Sequence, residues 1–106
     1  MNFSDEYIEL FEFFGYGDLM FSSHRHALGL KTLSIEPVYA KGFIREGQNI
    51  IPSKETDEVF GLIIGIPKEQ RSILESAMQE YSIISIGVYD GRDLPREVET
   101  FWISPT

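Results

Sequence analysis

At 106 residues the chain has the size of one domain, long enough for a single hydrophobic core that needs no disulfide or metal to staple it. With 17 acidic against 9 basic residues its formal charge is −8, which repels phosphate backbones and sets nucleic acid aside as a partner. There is no cysteine, hence no disulfide, no thiolate nucleophile and no cysteine metal site, and no apolar run approaches the ~20 residues that cross a bilayer.

The acids are spread along the chain rather than gathered in a tail, as in a solubilising surface. Asp5, Glu6, Glu9 and Glu12 interrupt the N-terminal apolar residues, unlike the core of a signal peptide. The expectation is a single cytoplasmic domain, 1–106, without membrane association. The sequence does not fix its oligomeric state.

In chain order, YIELFEFF (Tyr7 to Phe14) is apolar and aromatic enough for a first strand. It runs into GYGDL, where a tyrosine sits between two glycines. A plain turn has no need of that tyrosine, whereas a loop that brings backbone N–H groups close to a ligand needs the glycines. Phe21 to Leu30 reads as helical or irregular, Glu36 to Ile44 as a strand, and REGQNIIPS (Arg45 to Ser53) as a loop. Glu58 to Ile66 is a nearly continuous apolar strand. Pro67 then opens the clearest helix, Pro67 to Tyr81, with Ile73, Leu74, Ala77, Met78 and Tyr81 as its apolar stripe. Ser82 to Asp90 is a strand, Asp90-Gly91 a turn, and Glu97 to Ile103 a last strand with Val98, Thr100 and Trp102 on one face. Strands dominate, so the class is α+β, a small mixed β-barrel or strongly curved sheet with flanking helices. Phe11, Phe13, Phe60, Phe101 and Trp102 are assigned to the core by their strand positions.

Several of these landmarks, in this order, resemble the gamma-glutamyl cyclotransferase-like family. The family's aromatic strand ends in a Tyr-Gly-Ser/Thr-x-Leu type loop, matched by Tyr16, Gly17, Asp18 and Leu19. Its acid-Val-aromatic-Gly strand is matched by DEVFGLII (Asp57 to Ile64), and its closing strand by VETFWI. The resemblance implies a small mixed barrel with a cavity at the glycine loop. It implies a reaction in which the α-amine of a γ-glutamyl group attacks its own γ-carbonyl, giving 5-oxoproline and a released amine or amino acid. Such an enzyme holds the glutamyl chain folded and moves a proton with one carboxylate, and it needs no cofactor. The small-molecule γ-glutamyl substrate would be held by Tyr16, Gly17, Asp18 and Leu19.

Two positions depart from that pattern. Asp18 replaces the usual serine or threonine; it either faces a substrate ammonium or caps the helix that follows. Laid over the family's Leu-Asp-x-x-Glu segment, the helix places Met78 where the catalytic glutamate belongs, and methionine carries no proton. Glu80, two residues on, lies on the other edge of the apolar stripe and is the candidate general base and acid, or else a surface acid at a fraying helix end. The alternative to catalysis is an inactive member that binds a small molecule or a protein, with Met78 in the acid's place. His24 and His26 lack a third ligand at firm spacing, so no metal site is assigned. Arg25 and Arg45 are candidates for gripping an anionic substrate, and Tyr16 and Tyr81 for reaching a ligand with their hydroxyls.

Overall fold

A computed structural model of the chain describes residues 9–103. Among these residues seven strands and two helices follow one another: β1 (Leu10–Gly15), α1 (Ser22–Ala27), β2 (Ser34–Lys41), β3 (Phe43–Glu46), β4 (Asn49–Pro52), β5 (Glu58–Pro67), α2 (Arg71–Ala77), β6 (Ser82–Tyr89) and β7 (Pro95–Trp102). Short 3₁₀ turns, Gly17–Met20 and Lys68–Gln70, lead into the helices. Five strands close a barrel in the order β1-β5-β2-β6-β7, and β3 and β4 form a separate hairpin. All neighbours are antiparallel except β1 and β7, which meet in a short parallel register, Phe13 opposite Glu99 and Phe14 opposite Thr100. The fold is thus α+β, a mixed barrel with flanking helices.

The strands form where apolar and β-branched residues alternate with polar ones. Inward positions, among them Phe14, Val38, Ala40, Ile63, Ile86 and Val98, fill the barrel. A second cluster, including Phe11, Phe13, Leu19, Ile64, Leu74 and Phe101, packs outside the wall and is covered in part by α2. β5 lies between β1 and β2, and both of its faces are buried at Ile63 and Ile64. That is why it reads as a continuous apolar run. Gly61 is required by close approach: a Cβ there would stand 2.5 Å from the Phe14 ring and 2.6 Å from the Gly15 carbonyl oxygen.

Stepping by twos from Phe14, Val38 and Val98 leads to Glu12, Glu36 and Arg96, inward positions nearer the starts of β1, β2 and β7. There Arg96 bridges Glu36 (2.8 Å) and Glu12 (3.1 Å), so an ion triad spans that mouth of the barrel.

Several expectations change. Tyr7 and Ile8 of the expected first strand lie outside the described residues. Arg45 to Ser53 is not a loop but most of a hairpin, with Gly47 at φ 61° in its turn. Pro67 ends β5 in an extended conformation rather than opening the helix, and α2 stops at Ala77, because Met78 leaves helical angles at φ −116°, ψ 36°. Leu74 is fully buried, whereas Ile73 and Ala77 face solvent, so the stripe is narrower than expected. Phe60 is not core: it points out of the barrel and packs edge-on against Tyr39, with ring centroids 5.4 Å apart.

Candidate functional site

The chain leaves β1 through Tyr16 and turns at once, because Gly17 adopts φ 61°, a conformation that side chains disfavour. The turn is locked from below by Arg25, which is only 4% exposed. Arg25 donates from one guanidinium nitrogen to the Leu19 carbonyl and from another to the Thr32 hydroxyl, both at 2.8 Å. Burial lowers the pKa of its guanidinium from the usual value. Arg25 is therefore a structural residue of the turn and does not grip an anion.

The β3–β4 hairpin leans over this turn. The Asp18 N–H donates to Gln48 Oε1 at 3.4 Å, and that oxygen lies 2.6 Å from where a Cβ on Gly17 would stand. The Tyr81 hydroxyl, just beyond α2, donates to the Gln48 carbonyl at 2.8 Å. The Asn49 side chain exchanges two 3.0 Å bonds with the backbone of Ile103. Arg45 turns back to the Gly47 carbonyl at 2.9 Å. The hairpin tip is thus tied to the 3₁₀ turn, to the residue before β6 and to the end of β7.

Between these elements lies a cleft of about 130 Å³ lined by Tyr16, Asp18, Leu19, His24, Gln48, Met78 and Tyr81. An engineered apolar cavity of roughly 150 Å³ holds benzene, so the space suits a small molecule or one end of a larger one. Tyr16 is buried, and its hydroxyl donates to the Phe101 carbonyl at 2.6 Å. Burial first, then the neighbouring Tyr81, pushes its phenol above the ordinary value, against the opposing pull of the Ile50 N–H and the Arg45 guanidinium. Tyr81 is raised as well, by burial and then by the carboxylates of Glu80 and Asp18.

Of the residues singled out from sequence, Tyr16, Asp18, Leu19, Met78, Tyr81 and His24 line the cleft, and Gly17 lies beneath it under Gln48. Glu80 is exposed and borders a shallow depression over Ser76 to Tyr81, so the side chain on the cleft wall at the end of α2 is Met78. Asp18 does not cap α1: the N-cap position is Phe21, with no side-chain cap. His26 is exposed, and among the described residues no group of three His, Asp or Glu could hold a metal ion. Sequence reasoning missed Gln48 and Asn49 because they sit in a segment taken as loop. The glycine before them, in an Arg-Glu-Gly-Gln-Asn run between the apolar pairs Phe43-Ile44 and Ile50-Ile51, was the available signal.

A closed five-stranded barrel with one parallel seam, a glycine turn leaving its first strand and a helix before its fourth barrel strand in sequence defines the gamma-glutamyl cyclotransferase-like fold, and this chain has it. A solved gamma-glutamyl cyclotransferase superposes with a TM-score of 0.74 over 91% of this chain and 68% of its own, at 16% identity. An Arabidopsis thaliana protein solved in solution gives 0.74 over 91% and 70%, at 23% identity. An uncharacterised Homo sapiens protein gives 0.73 over 92% and 68%, at 16% identity. At these identities the likeness is one of fold. No family model matches the sequence, and no curated protein matches it significantly.

Proposed function

We propose that this chain uses the gamma-glutamyl cyclotransferase-like fold to bind a small polar molecule in the cleft beside the Tyr16–Leu19 turn without cyclising it. The observation that carries this reading is the methionine on the wall at the end of α2. Cyclisation needs a group that takes a proton from the substrate ammonium and returns one to the leaving nitrogen. At the end of α2 Met78 offers neither and Glu80 is turned to solvent, and the two proton-carrying groups left in the cleft, Asp18 and His24, stand on the 3₁₀ turn and on α1 instead. What remains is a binding site with a carboxylate (Asp18), an imidazole (His24), a carboxamide (Gln48) and a phenol (Tyr81) around the apolar side chains of Leu19 and Met78.

The second reading is the cyclisation of a γ-glutamyl amine or amino acid to 5-oxoproline, with Glu80 as the acid and base. One observation favours it: Glu80 directly precedes Tyr81, which lines the cleft. The two readings separate in one assay. Purified protein and its Glu80→Gln variant are incubated with γ-glutamyl amino acids, γ-glutamyl amines and glutathione, and 5-oxoproline is followed by mass spectrometry. The binding reading expects no product above the variant's background while calorimetry detects a ligand. Product that disappears in the variant overturns it in favour of catalysis.

A further inference from the structure

We propose that the free edge of β6, Ser82–Ile86, docks an extended segment of a partner protein in which lysine or arginine alternates with small apolar residues. β6 has β7 beside it along its whole length, from Ser82 opposite Trp102 to Tyr89 opposite Pro95. On its other side only Tyr89 and Val88 have partners, Tyr39 and Ala40 of β2. The two strands part there because Gly42, at φ 86°, bends the chain away from β6. The Gly42 N–H donates to the Asp57 carbonyl, and its own carbonyl accepts from the Ser53 N–H. The β3–β4 hairpin that follows forms a sheet of its own, so among the described residues no strand pairs with that edge of Ser82–Ile86.

In an antiparallel strand every second residue turns its N–H and C=O to the same side, so the edge offers a short row of main-chain donors and acceptors. Edges that stay unpaired are blunted by lysine, proline or a bulge. The run SIISI has neither lysine nor proline, and its register with β7 is continuous. An opening of about 470 Å³, lined by Lys41, Gly42, Glu55, Gly87 and Tyr89, lies where β2 leaves β6. An extended peptide that adds a strand takes its affinity from such main-chain bonds and its specificity from alternate side chains.

Charge selects the occupant. Glu55 and Glu97 flank the edge and are exposed. The nearby cation, Lys41, is already engaged by Asp93 at 3.3 Å and lies over the Tyr89 ring. On the outer face Ser85 and Gly87 are small, and the Ser85 hydroxyl donates to Glu97 Oε1 at 2.8 Å. A lysine on an added strand can therefore lie across Ser85 to the Glu97 carboxylate. The positions between turn toward the barrel, where Phe43, Ile84 and Trp102 are half-buried, and suit small apolar side chains. A second copy of the chain would bring a further charge of −8, which disfavours it as the occupant.

Nuclear magnetic resonance titration of the 15N-labelled chain tests this with three peptides. Acetyl-Lys-Val-Lys-Val-Lys-amide is the probe, and its glutamate counterpart, acetyl-Glu-Val-Glu-Val-Glu-amide, reverses the charge. Acetyl-Lys-Pro-Lys-Pro-Lys-amide keeps the charge and removes two main-chain donors. The probe should shift the amides of Ser82–Gly87, slow their hydrogen exchange, and bind roughly ten-fold more tightly than either control. Trp102, the single tryptophan of the chain and opposite Ser82, should report the same event through its indole N–H, which is buried without an acceptor among the described residues. Glu97→Gln, which keeps an acceptor for Ser85, should weaken the probe roughly three-fold. Equal binding of the proline peptide, shifts that avoid Ser82–Gly87, or no shift with the probe overturns the proposal. So does movement of the same amides with protein concentration alone, which would make a second copy the occupant. None of these outcomes bears on the cleft.

Discussion

The Tyr16 hydroxyl donates a 2.6 Å hydrogen bond to the Phe101 carbonyl, joining the turn after the first strand of the barrel to the end of its last. The bond is buried, and it continues a seam that Thr100 begins by donating to the Phe14 carbonyl at 2.8 Å. Tyr16→Phe keeps the ring and leaves the Phe101 acceptor unmet, so it should cost about 1–2 kcal/mol. Urea denaturation monitored by circular dichroism measures it; a loss too small to resolve would mean that Phe101 finds another donor.

Alkaline pH should reveal the same residue. The folded chain holds the Tyr16 phenol above its ordinary value of 10.0, whereas the unfolded chain does not. As pH rises past that value the unfolded state releases a proton that the folded state keeps. Stability is therefore insensitive to this group below its unfolded pKa and falls above it, by up to about 1.4 kcal/mol per pH unit. Tyr81, raised in the same direction, adds to the fall. The urea midpoint should decline more steeply above pH 10 in the parent chain than in Tyr16→Phe, and parallel declines would exclude Tyr16 as a source.

Arg25 is a buried cation whose guanidinium donates to the Leu19 carbonyl and the Thr32 hydroxyl. Arg25→Ala strips donors from both and empties packed space, a loss of about 2–4 kcal/mol. The effect should concentrate in the turn: hydrogen exchange at Leu19 and Met20 should accelerate more than in β5. Uniform acceleration would show that Arg25 supports the whole barrel rather than the turn.

Two glycines on barrel strands should respond unequally to alanine. At Gly61 the new Cβ meets the Gly15 carbonyl oxygen at 2.6 Å, a backbone atom that cannot swing aside, so Gly61→Ala should cost about 2–3 kcal/mol. At Gly87 nothing lies within 4 Å, so Gly87→Ala should fall within about 0.5 kcal/mol of the parent. Paired thermal melts decide it; equal shifts would remove close approach as the reason for Gly61.

The barrel strands were legible because their apolar residues recur with a strand's period or run unbroken through β5, and the glycine turn because Tyr16 sits between glycines. The hairpin was not. Its middle, Arg45 to Asn49, is as polar as a loop, and only the antiparallel pairing of Phe43–Glu46 with Asn49–Pro52 shows that the segment is two strands. Phe60 was misplaced because hydrophobicity alone does not reveal which face of β5 a residue takes at its exposed end.

Glu80 illustrates a different limit. Helical rotation places it beside a stripe centred near Ala77 and Tyr81 only while the helix continues through residue 80. Once Met78 leaves helical angles, the direction of every later side chain is set by the turn into β6. Met78 is read correctly from the same wheel because it is the cap residue itself, one step past Ala77. Asp18 is the converse case: local sequence allowed a cap or a ligand contact, and tertiary structure removed the cap.

The parallel seam between β1 and β7 has a consequence for how the molecule is made. Every other pairing in the barrel joins strands closer together in the chain, whereas the closing one joins residues 85 and 86 positions apart in its two side-chain bonds. On the ribosome, Phe13 and Phe14 therefore wait with one backbone edge unsatisfied until Thr100 and Phe101 have emerged, and an unpaired strand edge is the surface on which nascent chains stick to one another. Closure of the barrel thus has to await the last of its strands, and β1 is the barrel strand that waits longest with an edge open.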